Sequence, residues 1–165
     1  MMSYIIRPAM LRDEPFLWEM LFHALYVEQG REPFTRDVLR LPDVARYVEG
    51  WGRGARDLGF VAVEDATGEA VGAVWSRLFT GDDKGFAYLD DDTPELGIAV
   101  LPEHRGRGVG TLLLKHYLEE ARALFPAVSL SVSPNNPAMR LYARLGFMTV
   151  DVRKDSYPIM KKDLT

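Results

Sequence analysis

The chain has 165 residues, 47% apolar and 27% charged, which suits one globular domain built on a single sizeable core. It contains no cysteine, so disulfides, thiolate metal sites and a cysteine nucleophile are excluded. The net charge of −4 argues against broad nucleic-acid binding, and any basic patch must be local.

No apolar run approaches the ~18 residues of a membrane span. The N-terminus, MMSYIIRPAM, lacks the apolar core and cleavage pattern of a signal peptide, so a cytoplasmic location is expected. Ser3–Ala9 reads as a first strand and Arg12–Glu28 as an amphipathic helix, with Pro15 harmless in its first turn. Thr35 is placed to cap a second helix that breaks at Pro42, and Asp43 to re-cap the run Val44–Trp51. Gly50–Gly59 reads as a glycine-rich connector. Phe60–Glu64 and Ala70–Phe79 read as strands joined by the turn Asp65–Glu69. Thr80–Thr93 is acidic and reads as a mobile loop with a short ordered patch at Phe86–Leu89.

Glu95–Val100 is a short apolar run with β-branched members, stopped by Pro102. A basic glycine loop, Arg105-Gly106-Arg107-Gly108-Val109-Gly110, follows it. Beyond the loop, Gly110, Leu113, Leu114, Tyr117, Leu118, Ala121, Leu124 and Phe125 fall on one helical face. Val128–Val132 is the next strand, and Ser133–Asn136 a turn. Pro137–Leu145 is a short helix ended by Gly146. Phe147–Val152 and Tyr157–Lys161 read as a closing antiparallel pair. These runs make seven strands and four helices in the order β-α-α-β-β-β-α-β-α-β-β.

A glycine loop that opens a helix offers unpaired N–H groups and the positive end of a dipole, which suits phosphate. The ending Gly110-Thr111-Leu112 fails the Gly-Lys-Ser/Thr of a P-loop, and Gly106, Gly108 and Gly110 fail the spacing of a dinucleotide fingerprint. Arg105, Gly108 and Gly110 instead match Arg/Gln-x-x-Gly-x-Gly/Ala. A second stretch, Asn135-Asn136-Pro137-Ala138-Met139-Arg140-Leu141-Tyr142-Ala143-Arg144-Leu145-Gly146-Phe147, carries an Asn, then Ala, Leu-Tyr and Gly-Phe. Both resemble the signatures of the GNAT N-acetyltransferase superfamily, and the resemblance spans nearly the whole chain. It implies the GNAT acyl-CoA N-acyltransferase fold: a mixed α/β domain whose mostly antiparallel sheet is flanked by helices.

The resemblance implies acetyl-CoA as co-substrate and a primary amine, on a small molecule or a peptide, as acceptor. Backbone N–H groups of Arg105, Gly106, Arg107, Gly108, Val109, Gly110 and Thr111 would cradle the pyrophosphate. Ile98, Ala99 and Val100 would pair with the pantetheine arm as an added strand would. Asn135 or Asn136 would hold the CoA arm; two spacings of that motif exist, and the sequence does not choose between them. Tyr142 would protonate the leaving thiolate. Glu95 is the carboxylate on the central strand and the candidate base, acting directly or through water. Strand parity puts it with Gly97 and Ala99, whose small size is expected to leave space beside that face, and opposite Leu96, Ile98 and Val100. Asp90, Asp91 and Asp92 are weaker options. A homodimer is expected because dimers are common in the family.

His104 reads as a surface residue, His23 sits within the first helix, and His116 reads as exposed. Three scattered histidines make no metal site. Trp18, Phe22, Tyr26, Trp51, Trp75 and Phe79 form either an aromatic substrate wall or plain core. Two other readings compete with the enzyme: a CoA-binding module without turnover, and a nucleic-acid binder through Arg105, Arg107, Arg140 and Arg144, which the net charge disfavours.

Overall fold

A computed structural model describes residues 3–154 and 156–165. Strands β1 (Tyr4–Pro8), β2 (Leu58–Glu64), β3 (Ala70–Arg77), β4 (Glu95–Val100), β5 (Ala127–Ser131), β6 (Met148–Asp151) and β7 (Ile159–Asp163) form one sheet in the order β1-β2-β3-β4-β5-β7-β6. Helices α1 (Glu14–Ala24), α2 (Pro42–Ala45), α3 (Val109–Ala121) and α4 (Ala138–Arg144) cover its faces. The element order is the one read from the sequence. All neighbours pair antiparallel except β4 and β5, which run parallel.

Period-two alternation sorts the strands' side chains between two cores. Phe60, Ala62, Val74 and Leu96 pack against α3 through Leu113, Leu114 and Tyr117. Val61, Ala73, Trp75 and Ala99 pack against α1 and α2 through Leu17, Met20 and Val44. Each fully buried Leu or Val contributes about 1.5–3 kcal/mol, so the apolar stripe of α3 alone fixes that helix on the sheet. The stripe is the one the sequence shows, except that Leu124 and Phe125 lie past the helix end, where Leu124 is exposed and Phe125 still buried.

The first helix departs from expectation. It stops at Ala24, and Leu25 turns extended with ψ 112°. The reason is tertiary. Tyr26 donates its hydroxyl to the Asn135 carbonyl at 3.0 Å, and Glu28 accepts from Ser133 Oγ at 2.6 Å and from Asn135 Nδ2 at 3.0 Å. These bonds hold the residues after Ala24 across the β5–α4 turn, where a continued helix would not reach.

Thr35 does not cap an α-helix. A 3-10 turn spans Arg36–Arg40 and no side chain caps it. Pro42 starts α2 rather than breaking a helix, because Leu41 before it is extended and a missing N–H costs nothing at the first position. Asp43 pairs with Arg46 at 2.8 Å instead of capping. The 80–93 loop is tied down around Ala87, whose carbonyl accepts from Ser129 Oγ at 2.8 Å.

The sheet parts at its centre. β4 and β5 share one register pair, Glu95 with Ser129, braced by Ser129 N–H donating to Pro94 O at 3.0 Å. Beyond Glu95 the strands diverge, and β4 backbone groups on that side lose their ladder partners.

Candidate active site

The divergence opens a cavity of about 620 Å³. Ile98, Ala99 and Val100 form one wall. Gly110 at the start of α3 lines the cavity next to Leu141, together with Asn136, Pro137, Ala138 and Tyr142. Phe22–Val27, Pro33 and Phe34 complete the lining. The volume lies within the usual range for small-molecule sites.

The glycine loop stands at one end. Gly108 is the N-cap of α3 with φ +81°, and its carbonyl accepts the Leu112 N–H at 3.0 Å. That leaves the N–H groups of Val109, Gly110 and Thr111 without helical acceptors. Gly106 is also left-handed, at φ +75°. A Cβ at Gly106 or Gly108 would meet nothing within 4 Å, so glycine is required by backbone conformation and the space outside the loop is open. Arg105 lines the cavity and donates from Nε to the Val100 carbonyl at 3.0 Å, which ties the loop to the end of β4. Arg107 is exposed on the loop, while the Val109 side chain is in the core.

Tyr142 stands at the cavity wall, 8% exposed, with its ring 5.9 Å from Phe147. Burial alone pushes its phenol up to about 12. Burial also raises Tyr117 and, with Glu95 beside it, Tyr47. The folded chain therefore keeps protons that the unfolded chain releases above about pH 10. Stability contributed by these groups is present below that pH and falls as pH rises through the folded values. Unfolding free energies from urea titration are expected to hold to pH 9 and then drop, by up to about 1.4 kcal/mol per pH unit for each phenol. The Tyr142→Phe protein should drop less steeply.

The two asparagines separate. Asn136 lines the cavity and its Oδ1 caps Ala138 N–H at 2.9 Å. Asn135 instead points its amide at Glu28. Glu28, held below the usual carboxylate range chiefly by the Ser133 hydroxyl and then by the Asn135 amide, remains an anion there.

Glu95 lies outside the cavity lining. It is 1% exposed, and its carboxyl accepts from Tyr47 hydroxyl at 2.7 Å, Ala87 N–H at 2.9 Å and Gly85 N–H at 2.9 Å. Desolvation raises its pKa, and these three donors oppose the rise. The arrangement pins the 85–87 segment and Tyr47 onto β4. Glu95→Gln turns an amide donor toward one of these donors and is expected to cost about 2 kcal/mol, a Tm lower by about 4–8 °C in a chain of this size. Gly85→Ala should act alike, since its Cβ would lie 2.3 Å from both Glu95 Oε1 and the Tyr47 hydroxyl. A Glu95→Gln protein with unchanged Tm and much reduced kcat would instead assign Glu95 to the chemistry.

Other expectations need correction. The space expected beside Gly97 is filled by the Trp75 indole, which a Cβ there would meet at 2.8 Å. Trp51, Trp75 and Phe79 are core, whereas Phe22 and Tyr26 line the cavity. His104 is not a solvent residue: Tyr4 hydroxyl lies 3.0 Å from its Nδ1, and Glu64 lies 3.9 Å away. Asp90 accepts from Asp92 N–H and the Thr93 hydroxyl, both at 2.9 Å, within its own turn. His23, which the sequence reading left without a role, lines the cavity. Its signal was present as Glu19 four residues before it, on the same helical face.

The architecture is that of a mixed α/β protein whose central strands diverge beside a helix N-terminus. The family model described as the Acetyltransferase (GNAT) family matches residues 18–147, and the chain belongs to that family. The [Ribosomal protein bS18]-alanine N-acetyltransferase of Haemophilus influenzae is 36% identical over 78 residues, covering 45% of this chain and 53% of that protein. The N-alpha-acetyltransferase of Sulfurisphaera tokodaii is 34% identical over 100 residues, covering 58% of this chain and 60% of that protein. The chain thus matches 53–60% of the length of these two curated relatives. A putative acetyltransferase from Salmonella typhimurium, solved with its cofactor acetyl-CoA, superposes with a TM-score of 0.66 at 22% identity over 99% of this chain and 95% of that one, a likeness of fold.

Proposed function

We propose that this chain is an N-acetyltransferase that moves an acetyl group from acetyl-CoA to a primary amine by direct attack in a ternary complex. The observation that carries the reading is the single cavity joining the α3 N-terminus to Tyr142 along the unpaired edge of β4. The N–H groups of Val109, Gly110 and Thr111 bind pyrophosphate, with charge added by Arg105. Unpaired backbone groups of Ile98–Val100 hold the pantetheine arm as an added strand. Asn136, which lines the cavity, holds that arm from the α4 side.

Acetyl-CoA supplies the activated acyl group when bound. Tyr142 is protonated across the physiological range, because burial raises its phenol, and it donates its proton to the departing sulfur. The relatives' printed names include acetylation of a protein's alanine, and a peptide amine is the acceptor class tested first.

Titration calorimetry of acetyl-CoA and CoA against the protein, followed by thiol release with a panel of free-amine peptides and small primary amines, tests the reading. Sub-millimolar binding and turnover support it. Failure to bind either ligand overturns it. Binding without turnover on any amine favours a CoA-binding module.

A further inference from the structure

We propose that His23 is the proton acceptor for the attacking amine. This rests on the acetyltransfer reading and adds a residue to it.

Among the described residues, four with titratable side chains line the cavity: His23, Tyr26, Arg105 and Tyr142. Arginine keeps its proton at any physiological pH, and a phenol is a proton donor there. Imidazole is the one side chain of the four that takes up a proton near neutrality. The carboxylate of the central strand, Glu95, faces its three donors elsewhere in the fold.

The ring is also oriented. His23 Nε2 lies 3.1 Å from Glu19 Oε1, one helical turn earlier. Glu19 is gripped in turn by Arg36, whose Nη2 donates to Oε1 at 2.8 Å and whose Nη1 reaches Oε2. Arg36 holds the Glu19 carboxyl below the usual range, so it is an anion that only accepts. The Nε2 atom of His23 must then carry the ring proton, and Nδ1 is left as the base. Arg36 also sits 4.3 Å over the Phe22 ring, which meets the His23 ring edge to face at 5.8 Å. Among the described residues, the charged groups near His23 are Glu19 on its own helix and Arg36 bonded to Glu19, and Arg105 lines the same cavity.

The protons balance as follows. An ammonium R–NH3+ gives one proton to His23 Nδ1 and becomes a nucleophile. Its nitrogen bonds to the thioester carbonyl carbon, and the carbon–sulfur bond breaks. Sulfur takes the Tyr142 hydroxyl proton, and the second proton lost by nitrogen restores Tyr142. His23 returns its proton to water. The sum is amide, thiol and one proton.

The test uses the full chain and the best amine of the panel, with kcat/KM measured from pH 5.5 to 9. Gln at position 23 keeps an N–H for Glu19 and has no basic atom. His23→Gln is expected to leave Tm and the acetyl-CoA Kd near wild type while lowering kcat/KM at pH 7 by about 100-fold, and to change the acid side of the pH profile. His23→Ala is expected to recover part of the rate when imidazole is added, which a structural role would not allow. A wild type that turns over beside a His23→Gln protein with the same profile overturns the proposal and leaves the acetyltransfer reading standing. A wild type that acetylates no amine overturns both.

Discussion

Gly108→Trp is expected to abolish acetyl-CoA binding while the protein still folds. Gly108 is left-handed, and a Cβ built on it meets nothing within 4 Å. The indole would project into the open space over the α3 N-terminus without striking the core. Backbone strain at this position costs about 1–2 kcal/mol, an amount most domains survive. The ligand loses more. Its pyrophosphate would have to share the space above the N–H groups of Val109, Gly110 and Thr111, where charge-assisted hydrogen bonds form. Loss of two such bonds, about 3 kcal/mol, raises Kd by at least roughly 100-fold. Calorimetry on the variant and on Gly108→Ala separates the causes, since alanine adds the strain without the bulk. Wild-type affinity in the tryptophan variant would move the phosphate site away from this loop.

Tyr142→Phe is expected to lower kcat by about 100-fold with KM for acetyl-CoA changed less than about threefold. The ring is packed against Phe147 and keeps its volume in the variant. Burial raises the phenol, and removing the hydroxyl relieves that burial of a polar group. Tm should therefore stay within a degree or two. A thiol's ordinary pKa of about 8.5 makes its thiolate a fair leaving group, which bounds the benefit of a donor. Steady-state kinetics with saturating amine reads the effect. An unchanged kcat would remove Tyr142 from the reaction and leave it as a wall of the cavity.

The two variants probe the glycine loop and the α4 wall of the cavity, and their signatures differ. The loop variant fails at binding and the tyrosine variant fails at turnover. His23→Gln, on the wall formed by α1, fails at turnover with a changed pH profile. A protein that shows all three patterns uses the cavity along its length.

What the sequence by itself determined is local. The glycine loop Arg105–Gly110 opening a helix, the apolar stripe Leu113, Leu114, Tyr117 and Leu118, and the order of strands and helices each depend on residues a few positions apart. Local backbone preference and periodicity are enough to state them, and the Asn-to-Phe147 signature could be read in the same way. Tertiary structure decided what depends on distant partners. α1 ends at Ala24 because Tyr26 and Glu28 bond to residues more than 100 positions away, a competition invisible to helical periodicity. Glu95 became an anchor because Tyr47, Gly85 and Ala87 converge on it. Asn136 rather than Asn135 faces the cavity because Glu28 takes the Asn135 amide. His23 lines the cavity with its ring bonded to Glu19, which Arg36 grips from 17 residues further along the chain. Spacing along a chain sets which face a residue occupies; only packing sets what that face meets.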